Sequence, residues 1–303
     1  MAEFDFIRNV RARTPAAPGV LVGPGDDCAV LAWPGGPLLI TTDMLTEGVD
    51  FLLAECGPQA VGRKAMAVNL SDIAAMAGRP TAAVVGLVLP RTNGEDIAVG
   101  VYDGLREVAD AFGIPIVGGD TNSWDGGLVV SVTIIGEATG RGAVLRSGAK
   151  PGDWLFVTGP LGGSLLGRHL APTPRIQVAL ALHASVDLHA MIDISDGLTA
   201  DLMHILEESG CGAVLQASTI PIHADAIARS KQTGMTPLDH ALGDGEDFEL
   251  AFAVSPTDGA RLVRESPVAG LHHIGEFIDA GLWLVDGGVR KAVMPSGWVH
   301  DLK

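Results

Sequence analysis

Short apolar runs of strand length recur along the chain at Leu38 to Leu45, Thr81 to Val88, Leu128 to Glu137, Trp154 to Thr158 and Leu250 to Val254. They are rich in β-branched residues and are bounded by glycine, proline or acids, as buried strands are. Between them lie longer segments with apolar residues at helical spacing, predicting helices over Glu95 to Phe112 and Leu198 to Ser209, the second closed by Gly210. Further strands are expected at Ala29 to Ala32, Ile114 to Val117, Ala213 to Leu215, Leu271 to Phe277 and Leu282 to Val285. A helix is expected after Pro174, a short one up to Leu170, and another in the segment after Ile220-Pro-Ile. Phe4, Ile7 and Val10 suggest a short amphipathic helix at the start. Strands alternating with helices describe an α/β (α+β) chain.

One segment breaks the polarity pattern. Ala67-Val-Asn-Leu-Ser-Asp-Ile-Ala-Ala-Met reads as the second half of a buried helix, yet it contains Asp72. A carboxylate in so apolar a run needs a partner, because an unpaired buried charge is too costly to keep. A cation or a helix end could supply it; alternatively Asp72 faces solvent or caps a break after Asn69 and Ser71.

Other acids share a common placement. Gly25-Asp-Asp puts Asp27 at the mouth of a strand, and Leu38-Leu-Ile-Thr-Thr-Asp ends a strand on Thr41, Thr42 and Asp43. The strand Ile114 to Val117 runs into Gly118-Gly-Asp-Thr, where glycines would let backbone N–H groups approach a ligand beside Asp120. Ile192-Asp-Ile-Ser-Asp-Gly places Asp193, Ser195 and Asp196 at a strand-to-helix junction, where a plain N-cap would need only Ser195 or Asp196. Gly245-Glu-Asp presents Glu246 after a glycine turn. Each motif alone is also compatible with an ordinary turn.

Composition narrows the chemistry. With 303 residues and 47% hydrophobic content the chain can form full cores and is expected to form two domains. A formal net charge of −16 and the lack of a basic cluster argue against a nucleic-acid surface. No run approaches the roughly 18 apolar residues of a membrane span, and no signal sequence is apparent, so a cytoplasmic location is expected. Cys28, Cys56 and Cys211 have no zinc-like spacing. The segment from Ala138 to Asp153 reads as a connection carrying Arg141, Arg146 and Lys150, either a solvated linker or cations reaching toward bound phosphate.

Carboxylates and hydroxyls without a matching His or Cys cluster describe a site for a hard cation, with magnesium favoured, and magnesium works most often with phosphates. The common phosphate-binding loops and kinase motifs are absent. The motifs Gly25-Asp-Asp-Cys-Ala, Thr41-Thr-Asp, Ala67 to Met76, Gly118-Gly-Asp-Thr, Arg146-Ser-Gly-Ala-Lys-Pro-Gly-Asp, Ile192 to Leu198 and Gly245-Glu-Asp-Phe-Glu-Leu together resemble the bacterial thiamine-monophosphate kinase family. They occur in the same order and span nearly the whole chain. The family belongs to the aminoimidazole-ribonucleotide synthetase-like ATP-binding superfamily.

That resemblance implies a ferredoxin-like N-terminal ATP- and magnesium-binding domain, residues 1–140, pairing across a homodimer into a β-barrel. A C-terminal α+β domain, 141–303, would follow. It implies Asp27, Thr41, Thr42, Asp43, Asp72, Asp120, Asp193 and Asp196 as the shell of several magnesium ions. Gly119, Asp120, Arg146 and Ser195 would contact ATP, and Asp50, Glu246 and Trp298 would face the acceptor. Asp43, Asp120, Arg146 and Asp196 are the catalytic candidates. The implied reaction is direct transfer of the ATP γ-phosphoryl group to thiamine monophosphate. Two further readings use the same residues: a superfamily enzyme acting on another small anionic acceptor, and a nucleotide-binding protein without turnover. The chain departs from the family pattern at Asp50, where His is usual, at Asp244 in place of glycine, after Thr121, and in a shorter segment between Gly163 and Pro174.

Overall fold

The structure is a computed structural model that describes residues 11–12, 18–23 and 25–298. The expected helix around Phe4, Ile7 and Val10 lies outside the described residues. Two mixed sheets carry the fold. The first contains β1 (Val20–Val22), β2 (Ala29–Leu31), β3 (Leu38–Thr46), β4 (Arg79–Pro90), β5 (Ile116–Trp124) and β6 (Val129–Glu137) in the order β1-β2-β3-β6-β4-β5. The second contains β7 (Trp154–Val157), β8 (Leu188–Asp193), β9 (Gly212–Gln216), β10 (Leu250–Val254), β11 (His272–Ile278), β12 (Leu282–Asp286) and β13 (Val289–Ala292). Its order is β13-β12-β9-β11-β7-β10-β8. Among the described residues no helix is long and apolar enough to cross a membrane.

Helix α1 (Leu53–Ala75) is the spine between these sheets. Gly57 leaves helical geometry and Pro58 follows it, so the first turn is kinked off the rest. Beyond the kink the helix packs on β3, β4 and β6 on one side and on β8 and α3 (Ile176–Ser185) on the other. That double contact explains why Met66, Leu70, Ile73 and even Ser71 are fully buried. Each such apolar side chain contributes about 1.5–3 kcal/mol by leaving water. One hydrophobic core runs through both halves, from Met66 and Ile73 to Phe156, Met191 and Phe252.

Helix α2 (Gly94–Phe112) makes the crossover between the parallel strands β4 and β5 and lies along α1. The two helices meet glycine to backbone. A Cβ on Gly62 would sit 2.0 Å from the Val101 carbonyl oxygen, and one on Gly104 2.0 Å from that of Gln59. Only hydrogen fits at either position.

Beyond these, α4 (Leu198–Ser209), α5 (Ala224–Thr233), α6 (Pro237–Gly243) and α7 (Pro256–Arg264) complete the second half. The expected helix over Leu198 to Ser209 and strand over Leu250 to Val254 coincide with α4 and β10. The short helix expected up to Leu170 is two 3-10 turns, Ser164–Leu166 and Arg168–Leu170. Two expectations about strand ends need correction. β3 does not stop at Asp43 but continues to Thr46, because β6 pairs with it along its whole length. β5 does not end at Val117 before a glycine loop; Gly118 to Trp124 pair with β4 as a parallel strand. Gly119 serves that pairing, since a Cβ there would lie 2.0 Å from the Val85 carbonyl oxygen.

Candidate active site

Where the spine helix passes between the sheets, three carboxylates converge. Asp27 follows the turn before β2, Asp72 lies on α1 and Asp193 ends β8, and ligand oxygens of all three fall within 4.8 Å of one another. Their partners come from the same elements. Thr41 Oγ1, on the inward face of β3, donates to Asp72 at 2.5 Å. Ser71 Oγ donates to Asp193 at 2.6 Å. Arg146, from the connection between halves, donates to both oxygens of Asp27 at 3.2 and 2.9 Å. Asn69 Oδ1 accepts from the Asp43 N–H at 2.9 Å and holds β3 against the helix.

Crowding acids out of water raises their affinity for protons. Burial, then the charge of Asp27, pushes the Asp193 carboxyl up to about 8. Burial, then Asp50 and Asp27, pushes Asp43 up to about 6. Asp72 is raised well above the ordinary carboxylate range by burial and by Asp43 and Asp193. Neighbouring Asp26, whose carboxylate accepts from the Arg146 backbone N–H, is raised to about 7 by burial and then by Asp27. Burial disfavours the Arg146 cation, yet the charge and hydrogen bonds of Asp27 outweigh it and hold the guanidinium protonated. An all-oxygen set of mutually repelling, desolvated carboxylates fits a hard divalent cation, which would relieve the repulsion.

The cluster opens into a cavity of about 880 Å³. Asp43, Asp72 and Asp193 line it together with Asp50, Ser195, Asp196, Glu246 and Trp298, and with Leu165, Leu166 and Leu170 from the two 3-10 turns. Two motifs distant in sequence are zipped together to make one wall. Ile194 N–H donates to Glu249 O at 2.8 Å, Phe248 N–H to Ile194 O at 2.8 Å and Glu246 N–H to Ser195 O at 2.6 Å. The indole of Trp298 is about half exposed, and its backbone N–H donates to Asp196 O at 3.1 Å.

Several sequence expectations are placed differently. Thr42 sits on the opposite face of β3 from Thr41 and Asp43; its hydroxyl donates to Val132 O at 3.1 Å and accepts from Thr133 Oγ1 at 3.0 Å. Strand alternation forces this separation. Gly119 and Asp120 lie on β5, the exposed edge of the first sheet, and do not line the cavity. Asp120 pairs with Gly86, on the face away from α1. Asp50 does line the cavity, and one of its oxygens accepts from the Thr46 N–H at 2.7 Å. Neither Ser195 nor Asp196 is the N-cap of α4: Gly197 occupies that position, and Asp201 reaches back to the N–H groups of Asp196 and Gly197 at 3.1 and 3.0 Å. Of the cations in the connection, Arg141 donates to the His183 and Val186 carbonyls at the end of α3.

Residues that sequence reasoning passed over complete the site. Ser71, Asn69 and Asp201 hold acids or their strands, and Lys64 reaches Glu246. The helical spacing of Lys64, Val68 and Asp72 was a usable signal, since residues four apart share one face.

The chain matches the family model of the AIR synthase related protein, N-terminal domain, over residues 25–138, and that of its C-terminal domain over 150–282. It is 44% identical to the thiamine-monophosphate kinase of Rhodopirellula baltica, covering 98% of this chain and 97% of that one. Identity to the thiamine-monophosphate kinase of Mycobacterium tuberculosis is 41%, covering 95% and 88%. A solved structure of AaThiL complexed with AMPPCP and TMP superimposes with a TM-score of 0.84 at 30% identity, covering 99% of this chain and 97% of that one.

Proposed function

Since the chain belongs to the thiamine-monophosphate kinase family of AIR synthase related proteins, we propose that it transfers the γ-phosphoryl group of ATP to thiamine monophosphate, producing thiamine diphosphate and ADP. A phosphate oxygen of the acceptor attacks the γ-phosphorus as the bond to the β-phosphate oxygen breaks. The acceptor is already an anion, so no strong general base is needed. The obstacle is repulsion between two phosphates, and alignment with charge neutralisation is the remedy. The observation that carries this reading is the convergence of Asp27, Asp72 and Asp193, of which Asp72 and Asp193 line a cavity of about 880 Å³.

Asp27, Asp72 and Asp193, with Asp43, Thr41 and Asp196 nearby, would hold magnesium. Bound there, magnesium would neutralise phosphate charge. Arg146 is fixed beside this cluster and would add a cation toward ATP, with Ser195 on the adjoining wall. Glu246 and Trp298 would meet the acceptor, whose thiazolium ring is cationic. Thr42 could take part only through its backbone.

A homodimer belongs to the same proposal. Among the described residues β5 is a sheet edge without a further strand, bearing Val117 and Trp124, and the face of the sheet turned from α1 exposes Met44 and Val84. An uncovered edge with apolar neighbours favours pairing. Closing two such sheets into a barrel would bury the face that carries Asp120, so a role for Gly119 and Asp120 in binding ATP or metal depends on that pairing. We read residues 1–140 as the ATP- and magnesium-binding, dimerising half and 141–303 as the α+β half. We place the enzyme in the cytoplasm, where ATP is supplied.

The decisive experiment incubates purified protein with ATP, magnesium and thiamine monophosphate, with a chelated control, and measures thiamine diphosphate. Magnesium-dependent product is expected. ATP binding without product would overturn the acceptor and turn the search to other small anions.

A further inference from the structure

The cavity holds one ammonium with no part in the scheme above. Lys64, on α1, is 1% exposed and faces the cavity on the stripe that also carries Val68 and Asp72. Its Nζ donates to the Asp50 carbonyl oxygen at 2.7 Å and lies 2.8 Å from each oxygen of Glu246. Three segments are thereby tied at one atom: the spine helix, the turn after β3 that precedes it, and the loop before β10, 182 residues away.

The Glu246 loop needs such a tie. Glu246 has φ of 53° and Phe248 of 51°, both in the left-handed region that side chains avoid. Backbone in that region persists only where its surroundings over-determine it. The Glu246 N–H to Ser195 O bond supplies one constraint, and Lys64, gripping the carboxylate, supplies another.

Charge balance points the same way. Asp43, Asp50, Asp72, Asp193, Asp196 and Glu246 all line the cavity, and Lys64 is the sole lysine or arginine among its described lining residues. An acceptor that is anionic at its phosphate and cationic at its ring requires carboxylates that are both placed and partly offset. An unbalanced acidic wall would repel the phosphate end.

Resting on the thiamine-monophosphate reading, we propose that Lys64 is a positioning residue of the acceptor site: its ammonium sets the Glu246 carboxylate and the Asp50 turn in register, and so governs affinity for the acceptor but not for ATP. Arg146 holds Asp27 while Lys64 Nζ holds Glu246 and the Asp50 carbonyl, so the two cations serve different partners.

The test is a double-mutant cycle of Lys64→Met and Glu246→Gln, with Lys64→Arg as the conservative variant. Each is read in KM for thiamine monophosphate, KM for ATP and thermal unfolding. Lys64→Met is expected to raise the acceptor KM by about tenfold or more while the ATP KM stays within about threefold, the signature of lost acceptor binding. Adding Glu246→Gln to it should bring little further loss, because both changes remove one interaction. Lys64→Arg should recover most of the acceptor KM. An unchanged acceptor KM in Lys64→Met, equal rises for both substrates, or fully additive effects would each overturn the proposal. Should Lys64→Met fail to fold, Lys64→Arg against Glu246→Gln decides, since only the second is expected to lose the acceptor. If the wild-type protein does not phosphorylate thiamine monophosphate, the acceptor reading falls by itself. The Lys64–Glu246 pair is then judged by its coupling in thermal unfolding, where additivity counts against it.

Discussion

Arg146 grips Asp27 with a two-pronged hydrogen bond, Nε to Oδ2 at 3.2 Å and Nη2 to Oδ1 at 2.9 Å, fastening the connection between the halves to the acid cluster. The Asp27 side chain is 1% exposed, so the fork supplies hydrogen-bond partners that water would otherwise provide. An ionised carboxylate has about four acceptor sites, which leaves it capacity for a cation as well.

Removing the fork should therefore cost stability as well as activity. Arg146→Met leaves a buried charge unpaired and is expected to lower unfolding free energy by about 3–5 kcal/mol. Arg146→Lys keeps the charge but not the planar fork, and should lose less. Denaturant unfolding measures both. Transfer of the phosphoryl group should fall by about 10²–10³-fold in either variant; a Lys variant with wild-type turnover would count against a role for the fork.

In the absence of metal, the acid cluster should make stability depend on pH in an unusual direction. Asp193 titrates near 8 and Asp43 near 6 in the folded chain, against an ordinary 3.8. A carboxyl raised in the folded state favours folding while protonated. That contribution is complete below the ordinary value and is lost as pH rises toward about 8. With a chelator present, wild-type protein should therefore lose thermal stability relative to Asp193→Asn as pH rises through this window. Millimolar magnesium should shrink the difference, because a cation replaces the protons.

Asp72→Asn separates stability from chemistry at one position. Removing one of several buried like charges should raise the melting temperature of metal-free protein. It should also abolish most of the stabilisation by magnesium and reduce transfer by about 10²-fold or more. Calorimetry with and without magnesium checks this; a lower melting temperature in chelator would show that the carboxylate is better satisfied than its neighbours imply.

The two adjacent threonines should behave differently. Thr41→Val removes the hydroxyl bonded to Asp72 and is expected to weaken magnesium binding by about tenfold, near 1.4 kcal/mol. Thr42→Val alters only the outward face and should leave magnesium affinity within about threefold. Isothermal titration with magnesium distinguishes them.

Asp244 clamps the turn that walls the acceptor side. Its carboxylate accepts from the Gly163 N–H at 2.8 Å and lies 2.8 Å from His240 Nδ1, while Asp247 accepts from the Gly162 N–H and from Arg168. Asp244→Gly, the residue usual in the family, should loosen residues 163–170 in this shorter loop, at a cost of about 1–3 kcal/mol. Faster hydrogen exchange confined to that segment, with a several-fold higher acceptor KM, is expected. Unchanged exchange would mean that Asp247 and Arg168 hold the turn alone.

The sequence by itself determined the alternation of strands and helices, the buried helix with its anomalous Asp72, and a hard-cation chemistry built from acids and hydroxyls. These are local matters: periodicity, turn residues and the cost of an unpaired charge are written in adjacent positions. Tertiary structure alone decided which acids meet. Asp27, Asp72 and Asp193 come from three elements and converge because α1 packs against both sheets. Thr41 and Thr42 part company because they are successive residues of a strand paired along its length, and successive side chains point to opposite faces. Asp120 remains on an outer edge because pairing with β4 extends β5 past its glycines. Lys64 stood in plain sight on the helix, but its partner is 182 residues away. No spacing rule reaches that far; only the packing of the spine helix between the two halves does.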